Sequence, residues 1–171
     1  KSLGEQAARH MKRYTAELGG HAPVIVCADA DGAAVAKLAV AAKFRNAGQV
    51  CASPIRFLVH RAQYAACRDT FVALTLALRC GDGLAPDSQC GPLIHERRIT
   101  EMQRLVDDAV QQGGRLLCGG QRLARAGSFY APTVLEAVPL TALVQNTEPF
   151  GPIALIDVFD DVEDAYCRLF L

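Results

Sequence analysis

Tryptophan is absent from the 171 residues, and aromatic side chains make up only 6% of them. A core built from this sequence must therefore be aliphatic and rich in alanine. Net charge is missing as well, because 18 Lys+Arg offset 18 Asp+Glu. That balance argues against a nucleic-acid or acidic-membrane binder relying on bulk positive charge. No apolar run approaches the ~18 residues of a membrane span, and Lys1-Ser2-Leu3-Gly4-Glu5 does not resemble a signal peptide. There is no C-x-x-C pair and the 4 His are scattered, so a zinc site is not expected. The 7 cysteines are odd in number, and a chain of this length folds without staples, so a disulfide framework is not expected either. What remains is a reduced, cytoplasmic protein whose cysteines are mostly small core residues, Cys27, Cys67 and Cys118 among them. Cys80 and Cys90 flank a loop and could approach each other, although a reducing cytosol disfavours a bond there.

What the chain does contain is apolar material, at 51% of residues against 21% charged. That is too apolar for disorder and enough to bury roughly 70% of the surface that the unfolded chain exposes. Pro23-Val24-Ile25-Val26-Cys27 is a continuous apolar run of strand length, entered through Gly19-Gly20. Asp29-Ala30-Asp31-Gly32 offers N-cap oxygens to a helix over 32–46. This helix is apolar on nearly every side and is expected to lie between a sheet and another layer. A strand at 55–60 and a helix at 61–79 follow. The helix places Tyr64, Cys67, Phe71, Leu74 and Leu78 at steps of three and four. Gly81-Asp82-Gly83-Leu84-Ala85-Pro86 ends it. A helix at 95–112 sets Ile99, Met102, Val106 and Ala109 along one stripe. Strands are expected at 115–118, 130–135, 142–145 and 153–159, and a last helix from Asp160-Asp161 to Leu171. Alternating strands and helices predict an α/β fold with a mainly parallel sheet, flanked by helices in three layers.

Several segments have the residue types for chemistry. Gly81-Asp82-Gly83 starts like a nucleotide-binding G-x-G-x-x-G, but Pro86 takes the third glycine and a helix precedes it, so it reads as a helix-terminating loop. Asn46-Ala47-Gly48-Gln49-Val50-Cys51-Ala52-Ser53-Pro54 puts Cys51 in a turn between two buried elements. A thiol of ordinary pKa, about 8.5, is only a few per cent thiolate at neutral pH, so a nucleophilic Cys51 needs help from nearby N–H groups. The residues alone equally allow a small buried hydrophobe. Glu17, just before Gly19-Gly20, is either a solvated helix-end residue or a general base facing a cleft. Glu148, in Thr147-Glu148-Pro149-Phe150-Gly151-Pro152, lies in a rigid turn before a strand.

Taken together, Glu17-Leu18-Gly19-Gly20, Gly48-Gln49-Val50-Cys51 and Glu148-Pro149-Phe150-Gly151-Pro152 resemble, in order and spacing, the three signature segments of the aldehyde dehydrogenase superfamily. Glu17 and Cys51 stand 34 positions apart, as in that family. The resemblance implies that Cys51 attacks an aldehyde to form a thiohemiacetal and then a thioester. It implies that Glu17 activates the hydrolytic water, and that Glu148 holds the ribose of NAD or NADP with Phe150 beside the ring. The oxyanion would be held by the Cys51 backbone N–H and by an Asn upstream. Thr147 stands where an acidic residue is usual, and His21 where many members have Lys.

The same resemblance implies a division of the chain. Residues 1–16, basic and amphipathic, read as the trailing segment of a cofactor-binding domain expected before Lys1. Residues 17–171 read as an incomplete catalytic domain, with its oligomerising hairpin expected after Leu171. The parent protein would be a homo-oligomer acting on a small aldehyde, without metal, nucleic acid or membrane. A coenzyme-A-acylating relative, a cysteine hydrolase and an inert fragment are the alternatives; the retained Glu17 favours water as acyl acceptor. Arg45, six residues before Cys51, is placed as in succinate-semialdehyde dehydrogenases, where an Arg reads the distal carboxylate. Its other reading is a cation complementing the dipole at the end of the 32–46 helix.

Overall fold

The computed structural model describes residues 1–169. Helix α1 (Ser2–Arg9) buries none of its residues, and residues 11–20 run exposed and irregular into β1 (Ala22–Val26). Asp31 caps helix α2 (Gly32–Phe44), its Oδ1 accepting the Ala34 N–H at 3.0 Å. Then come β2 (Pro54–His60) and α3 (Arg61–Leu76), whose first turn is capped by His60 Nδ1 accepting from Ala62 N–H at 3.2 Å. Helix α4 (Glu96–Gln111), β3 (Arg115–Cys118), β4 (Thr133–Glu136), the single turn α5 (Leu143–Asn146), β5 (Ile153–Phe159) and α6 (Val162–Leu169) complete the described chain. The strands form one sheet in the order β1-β2-β5-β4-β3. All neighbours are parallel except β3 and β4. The expected three-layer α/β architecture is what forms.

The strand residues divide between the two faces with the period of two that a pleated strand imposes. On one face, Ala154 and Ile156 of β5, Val134 of β4 and Phe57 and Val59 of β2 meet Ala36, Val40, Phe44, Cys67 and Phe71 of α2 and α3. In this aliphatic core the few aromatics stack edge to face, Phe57 and Phe71 with ring centroids 4.9 Å apart. On the other face, Ile153, Leu155 and Leu135 pack on Ile99, Met102, Leu105, Val106 and Ala109 of α4. The expected 95–112 stripe is this face.

The structure departs from the expectations at several points. Helix α2 is buried along one stripe only, and Leu38 on its outer face is 74% exposed. The 32–46 helix stops at Phe44, because Asn46 and Ala47 take left-handed dihedrals. Helix α3 ends at Leu76 rather than 79, before the glycine-rich loop. Residues 142–145, expected as a strand, coil into α5. There the Leu143 N–H donates to Asp108 Oδ2 at 2.6 Å, and Asn146 Nδ2 donates to the Leu140 and Ala142 carbonyls. Side chains thus occupy the backbone groups that a strand would pair across a ladder. Cys27, expected in the core, is exposed, whereas Cys67, Cys90 and Cys118 are buried. The last helix is described to Leu169, and the expected continuation to Leu171 lies outside the described residues. Among the described residues no helix is long and apolar enough to cross a membrane.

Met102 ties the α4 layer to the turn before β5. It is fully buried, and its Sδ lies 2.3 Å from where a Cβ on Gly151 would stand. Met102→Ala is expected to cost about 2–5 kcal/mol, the range for emptying a buried Met site. The urea midpoint of unfolding measures it, and a loss below about 1 kcal/mol would mean that the site collapses without strain.

Candidate active site

The three segments singled out in the sequence immediately precede β1, β2 and β5, which are adjacent and parallel. Ala22 pairs with Pro54, and Arg56 pairs with Leu155. All three segments are therefore delivered to one edge of the sheet, at the N-terminal ends of its strands.

The turn carrying Cys51 is built from left-handed backbone. Asn46, Ala47 and Gly48 have φ of 52°, 54° and 70°, a conformation that costs a non-glycine residue roughly 1–2 kcal/mol. Amide side chains hold it there. Asn46 Nδ2 donates to Gln49 O at 3.0 Å, and Gln49 Nε2 donates to Asn46 O at 3.1 Å. The same Gln49 side chain bridges to a second loop, donating to Pro92 O and accepting the Ile94 N–H at 2.9 Å. Gly48 is required twice over. It has positive φ, and a Cβ on it would lie 2.2 Å from the Gly151 carbonyl oxygen.

The turn over 147–152 is gripped from below. Arg98 of α4 hydrogen-bonds the Pro149 carbonyl, Met102 backs Gly151, and the Pro152 carbonyl accepts the Thr133 N–H at 2.8 Å. Glu148 is half-buried, with its carboxylate lying directly over Gly19, where a Cβ would fall 1.8 Å from Oε2. Gly19 therefore meets Glu148 and Gly48 meets Gly151, so the first and second segments both close on the third. The Glu148 Oε1 atom is buried without a hydrogen-bond partner among the described residues.

Glu17 and Cys51 are both exposed on this edge. The Cys51 N–H enters no backbone hydrogen bond among the described residues. Arg45, also exposed, lines a groove of about 260 Å³ together with Val50 and Ala52, the residues flanking Cys51. Phe150 is 40% exposed and strained, with φ of 41°.

Lys43 is the site residue that reading the sequence missed. It is fully buried, donates Nζ to Ser53 Oγ at 3.3 Å, and lies 3.2 Å from the Cβ position of Gly48. The helical stripe Gly32, Ala36, Ala39, Val40, Lys43 is the signal that could have found it, since this spacing puts a lysine on the buried face. Desolvation brings its pKa down to about 7, and the Glu148 charge only partly opposes this. Burial also lowers His21, with Arg56 and Lys43 adding to the effect and Glu148 opposing it. Between pH 7 and 10.5 the unfolded chain keeps a proton on this lysine that the folded chain has lost, so stability rises with pH across that window. The depressed His21 acts only below its ordinary 6.5, outside that window. From pH 7 to 9 the wild type should gain about 2 kcal/mol that Lys43→Met lacks, as read from denaturant midpoints. Parallel pH profiles for the two proteins would show that Lys43 keeps its charge.

Residues 1–169 match the aldehyde dehydrogenase family. The 4-(hydroxymethyl)benzenesulfonate dehydrogenase of Comamonas testosteroni is 48% identical over 168 residues, which is 98% of this chain and 35% of the relative. The NADP(+) succinate-semialdehyde dehydrogenase of Escherichia coli is 39% identical over 168 residues, again 98% and 35%. The crystal structure of succinate-semialdehyde dehydrogenase from Burkholderia pseudomallei superposes with a TM-score of 0.93 at 38% identity, covering 98% of this chain and 35% of that one. The chain thus spans about a third of the length of these relatives. With its three signature segments gathered at one sheet edge, and a match running over residues 1–169, the chain belongs to the aldehyde dehydrogenase family.

Proposed function

We propose that the protein carrying this chain oxidises an aldehyde to a carboxylic acid, with Cys51 as nucleophile, Glu17 as base and NAD or NADP as hydride acceptor. The observation that carries this reading is the double closure of the Glu17 and Cys51 segments on the Glu148 turn. In the first step the Cys51 thiolate adds to the carbonyl carbon, giving a thiohemiacetal whose oxyanion the free Cys51 N–H is available to receive. A bound nicotinamide would supply the hydride acceptor for that carbon. The acyl group then remains on Cys51 as a thioester. Glu17 removes a proton from water, the hydroxide attacks the thioester carbonyl, and the Cys51 thiolate leaves as the acid forms.

The residues present fit the cofactor at one point. The orphaned, buried Oε1 of Glu148 is an acceptor suited to a ribose hydroxyl, with exposed Phe150 two residues on. Residues 1–16, with no buried residue in α1, are read as the end of the domain that holds the rest of the cofactor. Residues 17–171 are read as part of the catalytic domain, in a parent that assembles as a homo-oligomer. Gly19→Ala in the full-length protein tests the Glu148 assignment, because the new methyl must displace this carboxylate. KM for the cofactor is expected to rise roughly tenfold, the worth of one hydrogen bond, with Cys51 alkylation unchanged. An unaltered KM would remove Glu148 from cofactor binding.

For the substrate, we infer an aldehyde bearing a distal anionic group, succinate semialdehyde being the reference case. Arg45 shares its groove with the neighbours of Cys51, and a guanidinium presents a rigid fork of donors matched to a carboxylate. Two of the relatives are named for compounds with such a group, a sulfonate in one and a carboxylate in the other. In the full-length enzyme, Arg45→Leu should lower kcat/KM for succinate semialdehyde by ~1.5–3 kcal/mol and barely affect an uncharged aldehyde of similar length. Equal losses would make Arg45 structural. A sulfonated benzaldehyde turned over faster than succinate semialdehyde would move the preference to the aromatic sulfonate.

A further inference from the structure

Cys80 and Cys90 stand apart from the other cysteines. They are partners in a parallel backbone bridge, in which the Gly81 N–H donates to Cys90 O at 3.0 Å and the Cys90 N–H donates to Arg79 O at 3.2 Å. Residues bridged in this way sit about 4.8 Å apart, inside the ~4.4–6.8 Å Cα separation that a disulfide accepts. Both side chains belong to one apolar cluster, Cys90 within it and Cys80 packed against it. Cys90 is 1% exposed and packs in the α4-side core, whereas Cys80 is only half-buried. Arg125, stacked 4.3 Å above the Phe129 ring, donates Nη1 to the Cys80 carbonyl at 2.7 Å. Its positive charge is therefore held against the backbone of the more accessible cysteine.

We propose that Cys80 and Cys90 are a dithiol pair that hydrogen peroxide oxidises to an intramolecular disulfide, with Cys80 as the attacking sulfur and Cys90 as the resolving one. The Cys80 thiolate attacks one peroxide oxygen and the O–O bond breaks. The departing hydroxide takes up the proton that Cys80 had released and becomes water, leaving a sulfenic acid on Cys80. The Cys90 sulfur then attacks the Cys80 sulfur, the S–O bond breaks, and the hydroxyl leaves with the Cys90 proton as a second water. Two electrons and two protons pass from the thiols to the peroxide. The division of labour follows from the surroundings. Cys80 is the more accessible sulfur, and the neighbouring Cys90 thiol and the charge of Arg125 hold it below the ordinary thiol range, while Cys80 and burial push Cys90 up. The pair is independent of the aldehyde chemistry proposed above. The bond would close the loop holding the exposed Leu84, whose continuation through Pro92 and Ile94 grips Gln49 beside Cys51.

The test treats the full-length protein with hydrogen peroxide, blocks remaining thiols by alkylation and maps the peptides without reduction. Trypsin leaves both cysteines on residues 80–97, and cleavage at Asp82 or Asp87 then separates them unless they are bonded. The expected product is a pair of halves joined through Cys80 and Cys90 and released by dithiothreitol. Cys90→Ala should stop at a Cys80 sulfenic acid trapped by a 1,3-dione, while Cys80→Ala should leave Cys90 unoxidised. Should neither variant fold, the wild type still reports the order, since alkylation of the half-buried Cys80 should precede that of the buried Cys90. A fully alkylated 80–97 peptide after the exposed Cys27, Cys51 and Cys167 have been oxidised would overturn the proposal. So would Cys90 reacting ahead of Cys80.

Discussion

Three parallel strands that lie side by side, in register and starting at the same edge, impose the geometry on which everything else in this chain depends. The ladder hydrogen bonds of β1, β2 and β5 fix where each strand begins. The residues just before each beginning have nowhere to go but into one another. Two glycines make this possible. Gly19 leaves room for the Glu148 carboxylate, and Gly48 leaves room for the Gly151 carbonyl, at approaches no Cβ would survive. Ligands in open α/β sheets commonly bind outside the carboxyl ends of the strands. Here the candidate site is at the opposite end, because that is where the motif-bearing turns are gathered.

Gathering them has an electrostatic cost. Lys43, His21 and Arg56 converge with Glu148 on this junction, and burial opposes the charged form of each of the three cations. The buried lysine's Nζ links the Cys51 turn, through Ser53, to the neighbourhood of Glu148. Three of the five described non-glycine residues with positive φ, Asn46, Ala47 and Phe150, lie in the same place. Such strain persists only where the surroundings over-determine it. Here the surroundings are the reciprocal amide bonds of Asn46 and Gln49, together with the grip of α4 on the 147–152 turn through Arg98 and Met102.

The α4 layer links the candidate site to the face of the sheet opposite α2 and α3. Its inner stripe closes one face of the sheet, and two of its residues set the turn that carries Glu148 and Phe150. The loop leading into α4 carries Cys90 and, through Pro92 and Ile94, the anchor for Gln49. A single stretch outside the motif segments, the loop from α3 into α4 together with α4 itself, thus holds the nucleophile turn, supports the carboxylate turn and contains the thiol pair.

Periodicity and turn chemistry in the sequence were enough for the α/β class, for β1, β2 and β5, and for the buried face of α4, because these depend on local spacing alone. The candidate nucleophile and carboxylates were legible only because three short segments carry a family's pattern in register; by residue type, Cys51 and Glu17 remained open to bland readings. Other features had no local signal. Residues 142–145 carry the apolar composition of a strand but coil, because the distant Asp108 captures the Leu143 N–H and Asn146 the Ala142 carbonyl. Cys27 looks like core and lies exposed, since it falls just past the end of β1. The order β1-β2-β5, which places Glu148 over Gly19, depends on which strands pair after the chain has passed through α3, α4, β3 and β4. Pairing across such separations is a property of the whole packed sheet, and with it come the burial of Lys43 and the meeting of Cys80 with Cys90.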